Sequence, residues 1–120
     1  MSEEIDLQNI WMLQHASVET LNAGNLKGKV TLELQVKQAV FMGKAPCNSY
    51  SGQLQVAPAR HELRLRNPMA TRMACADLAA ESDYFRLLES VDTYRREDRE
   101  LVLLVGDSEI LRFKKVDWRT

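Results

Sequence analysis

The sequence predicts an α+β fold, in which a curled antiparallel sheet of about seven strands packs on one main helix. Two observations predict it. Apolar and polar residues alternate in short segments along most of the chain, which is the period of strands with one buried face. Residues 78–91 instead carry apolar side chains at helical spacing. A single helix among β-hairpins favours an antiparallel sheet over the parallel sheet of an α/β fold.

The strand segments share short alternating or fully apolar runs that are bounded by turn-forming residues. In 29–36 the alternation is strict, and 100–105 is apolar on both faces, as a central strand is. Pro58 marks a break between two strands, and GDSE at 106–109 predicts a hairpin turn. The predicted strands are, in chain order, 10–16, 29–36, 39–42, 52–56, 61–66, 100–105 and 110–116.

The helix is expected to begin after Asp77, whose carboxylate is suited to accept hydrogen bonds from first-turn N–H groups. Glu81 and Glu89 are interpreted as solvent-face residues rather than as an acid–base pair. The apolar face of the helix should pack on the inside of the sheet. The predicted core residues are Phe85, Leu88 and Val91 on the helix side, against Leu32, Leu34, Leu54, Leu103 and Leu111 on the strands.

Composition limits the classes of function. The chain has 120 residues, 45% of them hydrophobic, and a net charge of −1, which is typical of one soluble globular domain. Arginines at 60–66 and 95–99 are interleaved with acidic residues, so no basic face for nucleic acid is expected. No run reaches the roughly 20 apolar residues of a membrane helix. The acidic, polar start at 1–9 does not read as a secretory signal.

Two cysteine motifs and the C-terminal hairpin resemble the META domain, the family of the heat-shock protein HslJ. The matching residues of the two motifs are Gly43, Cys47, Asn48, Tyr50, Gly52, Thr71, Arg72, Met73 and Cys75. Trp11 in the first strand and the apolar strands within 101–113 also fit. The resemblance covers residues 10–116 as one domain and leaves short tails, 1–9 and 117–120.

The resemblance implies a half-barrel of antiparallel strands on one helix, similar to pilotin-type lipoproteins. It also implies a small bacterial envelope protein, often a lipoprotein, linked to stress and without an established reaction. The chain differs from many relatives because it shows no signal peptide and no lipid-attachment cysteine near its start. We therefore expect the cell envelope, periplasmic or anchored to the outer membrane, if a signal has been removed, and the cytoplasm otherwise.

Three interpretations of Cys47 and Cys75 compete. A zinc site normally uses close cysteine pairs, whereas Cys47, Cys75, His15 and His61 have unrelated spacing. A catalytic thiol needs a base such as His61, and no local motif marks one. A disulfide explains most, because it closes a loop of about 28 residues and stabilises by roughly 3–4 kcal/mol. Two reduced, buried cysteines are the remaining alternative.

We therefore expect a non-enzymatic interaction or stability module without a metal or cofactor. Its partner is expected to be a protein or a lipid-like molecule of the envelope, and nothing in the sequence indicates an oligomeric state. Met69, Arg72 and Met73 are the candidate binding residues, since methionines make adaptable contacts and an arginine can meet a carboxylate. Two alternatives stay open: the methionines fill the core while Arg72 pairs with a local acid, or Cys47 or Cys75 serves a small thiol-dependent hydrolase or redox enzyme.

Overall fold

The computed structural model describes residues 7–116, and within them the predicted α+β architecture is confirmed. Eight antiparallel strands lie in this range, and each pairs with its neighbours along the chain. They are β1 (Ile10–Ala16), β2 (Thr31–Gln35), β3 (Val40–Lys44), β4 (Ser49–Ala57), β5 (Glu62–Ala70), β6 (Thr93–Glu97), β7 (Glu100–Val105) and β8 (Ser108–Lys115). The main helix, α1 (Leu78–Ser90), connects β5 to β6.

The sheet closes on itself, because β1 pairs with β8 as well as with β2. The shortest strand pairing in the sheet is between β5 and β6. There the strands pair at Glu62 and Thr93, flanked by hydrogen bonds from Leu63 N–H to Asp92 O and from Tyr94 N–H to His61 O. Beyond this point β5 continues to Ala70 without β6, and α1 packs against it instead. The predicted half-barrel is thus a closed sheet with a narrow junction, and the helix covers the gap.

The core lies inside the closed sheet. Trp11, Tyr50 and Tyr94 are all buried. The Trp11 indole donates to the carbonyl of Leu7 at 3.0 Å, and the Arg96 guanidinium lies 5.1 Å from the centroid of its ring. Leu7 is fully buried, so the part of the predicted N-terminal tail that the structure describes contributes to the core. Residues 1–6 and the predicted tail 117–120 lie outside the described range.

The helix packs much as its pattern predicts. Leu88 and Val91 are buried, with Val91 just beyond the end of α1, and Phe85 is half-buried at the edge of the core. The predicted partners on the strands are all buried: Leu32, Leu34, Leu54, Leu103 and Leu111. Asp77 holds the N-cap position, but its backbone is not in the extended conformation that directs a cap side chain at the first turn. Its carboxylate accepts from the Asn25 amide instead, which corrects the predicted cap.

Two glycines of the cysteine motifs allow close approach of neighbouring strands. A Cβ on Gly43 would lie 2.2 Å from the carbonyl oxygen of Thr31. A Cβ on Gly52 would lie 2.4 Å from the Phe41 ring and 2.7 Å from the carbonyl oxygen of Arg66. Gly52 also sits where the register between β4 and β5 shifts. These motif positions are therefore explained by packing.

Candidate functional site

The two cysteine motifs meet at one end of the sheet. Cys47, in the turn before β4, forms a disulfide with Cys75, in the segment between β5 and α1, with 6.1 Å between their Cα atoms. This separation is within the range that a disulfide spans. Cys47 is half-buried, whereas Cys75 is exposed. The bond thus ties an exposed connecting segment to the start of β4.

Asn48 holds the same segment through its side-chain amide. Its Oδ1 accepts from Met73 N–H at 2.8 Å and from the Thr71 hydroxyl at 2.9 Å. Its Nδ2 donates to the Met73 carbonyl at 3.4 Å and to a carboxylate oxygen of Glu81 at 2.6 Å. Asn48 is only 3% exposed. The amide therefore bonds both backbone groups of Met73, as a neighbouring strand residue would.

Glu81 brings the helix into this arrangement. Its other carboxylate oxygen accepts from the backbone N–H groups of Cys47 at 2.8 Å and Asn48 at 2.7 Å. Its exposure is 6%, so the expected solvent-face position is wrong. The carboxylate is retained in the interior because three donors satisfy it. The sequence did contain a signal, since Glu81 precedes Tyr84, Phe85 and Leu88 by three, four and seven residues on the apolar face.

Tyr50, the aromatic residue of the first motif, belongs to a buried hydroxyl pair. Its hydroxyl lies 2.6 Å from the Thr31 carbonyl and 2.6 Å from the Tyr84 hydroxyl. The carbonyl can only accept, so Tyr50 donates to Thr31 and Tyr84 donates to Tyr50. Burial, and to a lesser extent the neighbouring Tyr84, raises the pKa of Tyr50 well above its usual value. Burial likewise raises the pKa of Tyr84, so both rings are neutral, structural groups at physiological pH.

A groove opens beside this cluster, between residues 68–74 and one face of α1. We call it the motif groove; its volume is about 590 Å³. Asn48 and Glu81 take part in its lining, so the groove is built directly on the motif residues. The other lining residues are Pro68, Ala70, Thr71, Arg72, Met73, Ala74, Leu78, Phe85 and Glu89.

The groove is bordered by exposed apolar side chains. Met73 and Leu78 line it and are 61% and 47% exposed, whereas Met69, on β5, is 75% exposed and is not part of the lining. Met69 and Met73 therefore do not fill the core, contrary to one of the interpretations that the sequence left open. No ion pair or hydrogen bond joins the Arg72 side chain to any residue within 7–116. Of the candidate binding residues, the structure places Arg72 and Met73 in the groove lining and Met69 outside it.

The arginines elsewhere are engaged on the surface of the sheet. Arg60 and Arg64 both pair with Glu62, and Arg95 pairs with Glu97. Arg112 binds Glu97, Glu100 and Glu109, and these bonds raise its pKa and lower the pKa of Glu109. The bond from Arg95, followed by that from Arg112, lowers the pKa of Glu97. These charges stabilise adjacent strands and leave little net positive surface.

The two histidines lie on different elements from the two cysteines. His61 forms the turn before β5, with its ring 5.7 Å from the ring of Tyr94, and His15 lies on β1. Across the described range, no three His, Cys, Asp or Glu side chains are grouped as a metal ion requires. No helix in that range is both long and apolar enough to span a membrane.

Comparison with known proteins identifies a family and solved structures of similar fold. The META domain model matches residues 5–118. A protein from Burkholderia xenovorans, solved by NMR, is 20% identical and superposes with a TM-score of 0.69, covering 97% of this chain and 87% of that one. A DUF4847 family protein from Bacteroides vulgatus is 12% identical with a TM-score of 0.72, covering 96% and 99%. At these identities the two structures show a shared fold. No curated protein matches the sequence.

Proposed function

Because the chain belongs to the META domain family, we propose that it is a non-enzymatic interaction module of the bacterial cell envelope that binds its partner in the motif groove. One observation carries the proposal: the groove combines exposed Met73 and Leu78 with an Arg72 that lacks an acidic partner within residues 7–116. Burying the exposed half of such an apolar side chain stabilises a complex by roughly 1 kcal/mol. Clustered exposed apolar residues mark interaction surfaces.

The arrangement of titratable groups supports binding rather than turnover. Both sulfurs are consumed in the disulfide, and the Glu81 carboxylate is engaged by three structural donors. A reacting group needs a nucleophile, a base and a stabiliser of developing charge within reach of one another. The buried tyrosines are held neutral and bonded to each other. The groups of the groove hold its walls in place and are not poised for chemistry.

The compartment and a stress-related role form the finer part of the proposal. The disulfide supports an oxidising location, where such bonds persist. Resemblance to the HslJ group supports a function under heat stress and association with the cell envelope. In this role the module would hold an envelope protein through an exposed apolar segment.

One observation favours the thiol-enzyme alternative. Cys75 Sγ accepts a hydrogen bond from Asp77 N–H at 3.3 Å, at the N-terminal end of α1. In a reduced protein this donor and the helix dipole would stabilise a Cys75 thiolate and increase its reactivity. The alternative therefore requires a chain that is active with its disulfide opened.

Crosslinking in an envelope fraction, combined with a broad hydrolase and thiol-oxidoreductase screen, tests the proposal. The oxidised chain should capture one partner, and Met73→Ser or Arg72→Glu should abolish capture. Val105→Ser, which truncates an apolar residue of comparable exposure in another part of the sheet, is the matched control and should capture normally. Robust turnover that Cys47→Ser abolishes would overturn the proposal in favour of the enzyme.

A further inference from the structure

We propose that the occupant of the motif groove is an extended polypeptide segment with an acidic side chain, which adds as a strand to the edge formed by residues 70–74. This inference rests on the proposed function and specifies how the partner binds. It follows from the direction of the backbone groups, the dimensions of the groove and the charges at its two ends.

Residues 71–74 follow β5, which ends at Ala70, and their backbone is bonded to β4 and Asn48 on one side. Thr71 N–H donates to Ser49 O at 3.1 Å, and Met73 N–H donates to Asn48 Oδ1 at 2.8 Å. Alternate residues of an extended chain direct their backbone groups to opposite sides, so those of Ala70, Arg72 and Ala74 are directed away from Asn48. Neither Arg72 nor Ala74 makes a backbone hydrogen bond within the described part of the chain.

This edge is accessible, unlike the buried part of β5. Every residue from 71 to 76 is exposed, whereas Leu63 and Leu65 lie in the core beneath α1. An exposed row of unpaired N–H and C=O groups is a template for another strand. Main-chain hydrogen bonds then supply affinity, and pockets beside the edge select alternate side chains.

The opposite wall fits a short extended segment. From Leu78 to Glu89 the helix is about 16 Å long, which accommodates about five residues of extended chain. Pro68, Met73 and Phe85 make much of the lining apolar. An added strand directs every second side chain to the same face, so two or three apolar side chains can enter the groove.

Charge supplies the remaining specificity. Arg72 lies near the beginning of α1 and Glu89 near its end, and neither is paired with another described residue. Glu81 lies between them, but its carboxylate already accepts hydrogen bonds from the backbone N–H and the side-chain amide of Asn48. A segment with an acidic side chain opposite Arg72 complements this arrangement, whereas one with a basic side chain there is repelled. An acyl chain can fill the apolar lining, and a fatty-acid carboxylate can pair with Arg72, but neither satisfies the backbone edge.

A hexapeptide library displayed on phage and selected on the intact, oxidised chain tests the inference. The selected sequences should carry Asp or Glu at one position among β-branched or aromatic residues. A capped synthetic peptide of the selected sequence is then the probe, measured by calorimetry and by amide NMR. Binding should slow hydrogen exchange at the amides of Arg72 and Ala74.

Two pairs of matched variants separate strand addition from other modes. N-methylation of the peptide amides that face the edge should weaken binding at least about tenfold, because it removes the shared hydrogen bonds. The same change on the alternate amides should leave affinity intact. Arg72→Glu should weaken binding about tenfold, and a lysine in place of the peptide's acidic residue should restore it.

The outcomes distinguish strand addition from the proposed function, which is binding in the motif groove by any mode. Peptides that bind as helices, lack an acidic residue or tolerate both N-methylated forms would overturn strand addition and leave binding in the groove standing. If no peptide is selected and laurate shifts the Met73 methyl signal, strand addition is overturned and the groove is a lipid-binding site. If neither a peptide nor laurate perturbs the groove, both proposals fail.

Discussion

At the scale of single residues, the cysteine motifs are explained by hydrogen bonding. Asn48 supplies the bonds that a strand would supply to Met73, and Glu81 joins the helix to the turn that contains Cys47. The motif asparagine and threonine therefore shape the wall of the groove. The wall can present Arg72 and Met73 to solvent because other residues hold its backbone.

Asn48→Ala should lower the free energy of unfolding by about 2–4 kcal/mol, because it leaves a buried carboxylate and the Met73 backbone with fewer partners. Asn25→Ala is the control, since the amide of Asn25 bonds Asp77 at the exposed surface. It should change stability by less than about 0.5 kcal/mol. Urea denaturation measures both, and equal effects would contradict the role assigned to Asn48.

The buried tyrosine pair predicts a specific alkaline transition. Burial raises the pKa of Tyr50 and Tyr84 above the value of about 10 for an unfolded chain, so stability is fully present below pH 10 and falls as pH rises through the folded-state values. Each buried tyrosine contributes a loss of about 1.4 kcal/mol per pH unit above 10. Tyr84→Phe should therefore reduce this slope by about that amount in urea titrations at pH 10–11.5. An unchanged slope would show that Tyr84 ionises freely.

At the scale of elements, the sequence predicted seven of the eight strands, most of which have one face in water and one in the core, and it did not predict β6. The segment 10–16 and the break at Pro58 were located correctly, and β7 is buried on both faces. Closure of the sheet could not be predicted, since it depends on pairing between the first and last strands and on a junction of one residue pair between β5 and β6. Such long-range pairing leaves no local pattern.

The groove could be predicted only in part. Met69, Arg72 and Met73 were singled out for their side-chain chemistry, whereas the backbone of Met73 is held by Asn48, which is 25 residues away in sequence. Phe85 was predicted as a core residue, but it is half-buried and lines the groove. That difference arises because β6 does not accompany β5 along its second half, which leaves part of α1 without a strand above it.

The helix gives an element-scale test of packing. Leu88→Ala should cost about 2–5 kcal/mol, because Leu88 is fully buried and its loss leaves a cavity. Leu78→Ala makes the same chemical change on the same helix at the edge of the groove. It should cost less than about 1 kcal/mol, since Leu78 is half exposed. A loss below about 0.5 kcal/mol for Leu88→Ala in chemical denaturation would contradict the assigned face.

At the scale of the whole molecule, the disulfide ties the exposed 71–76 segment to the start of β4. Reduction should lower the free energy of unfolding by about 3–4 kcal/mol, because the bond closes a loop with a sequence separation of 28. Denaturation with and without dithiothreitol measures the loss, and the Cys47→Ser/Cys75→Ser double variant should match the reduced chain. A difference below about 1 kcal/mol would show that Asn48 and Glu81 hold the segment without the bond.

The central claim is that the motif groove is the binding surface, and methionine-methyl NMR tests it most directly. Met73 lies in the groove, whereas Met12 lies on β1 beside Gly28 and serves as an internal reference. The chain is labelled with ¹³C at the methionine methyl groups, and the purified partner captured by crosslinking is titrated into it. The titration should shift the Met73 signal and leave the Met12 signal unchanged. Saturable binding that moves Met12 and leaves Met73 in place would contradict the account.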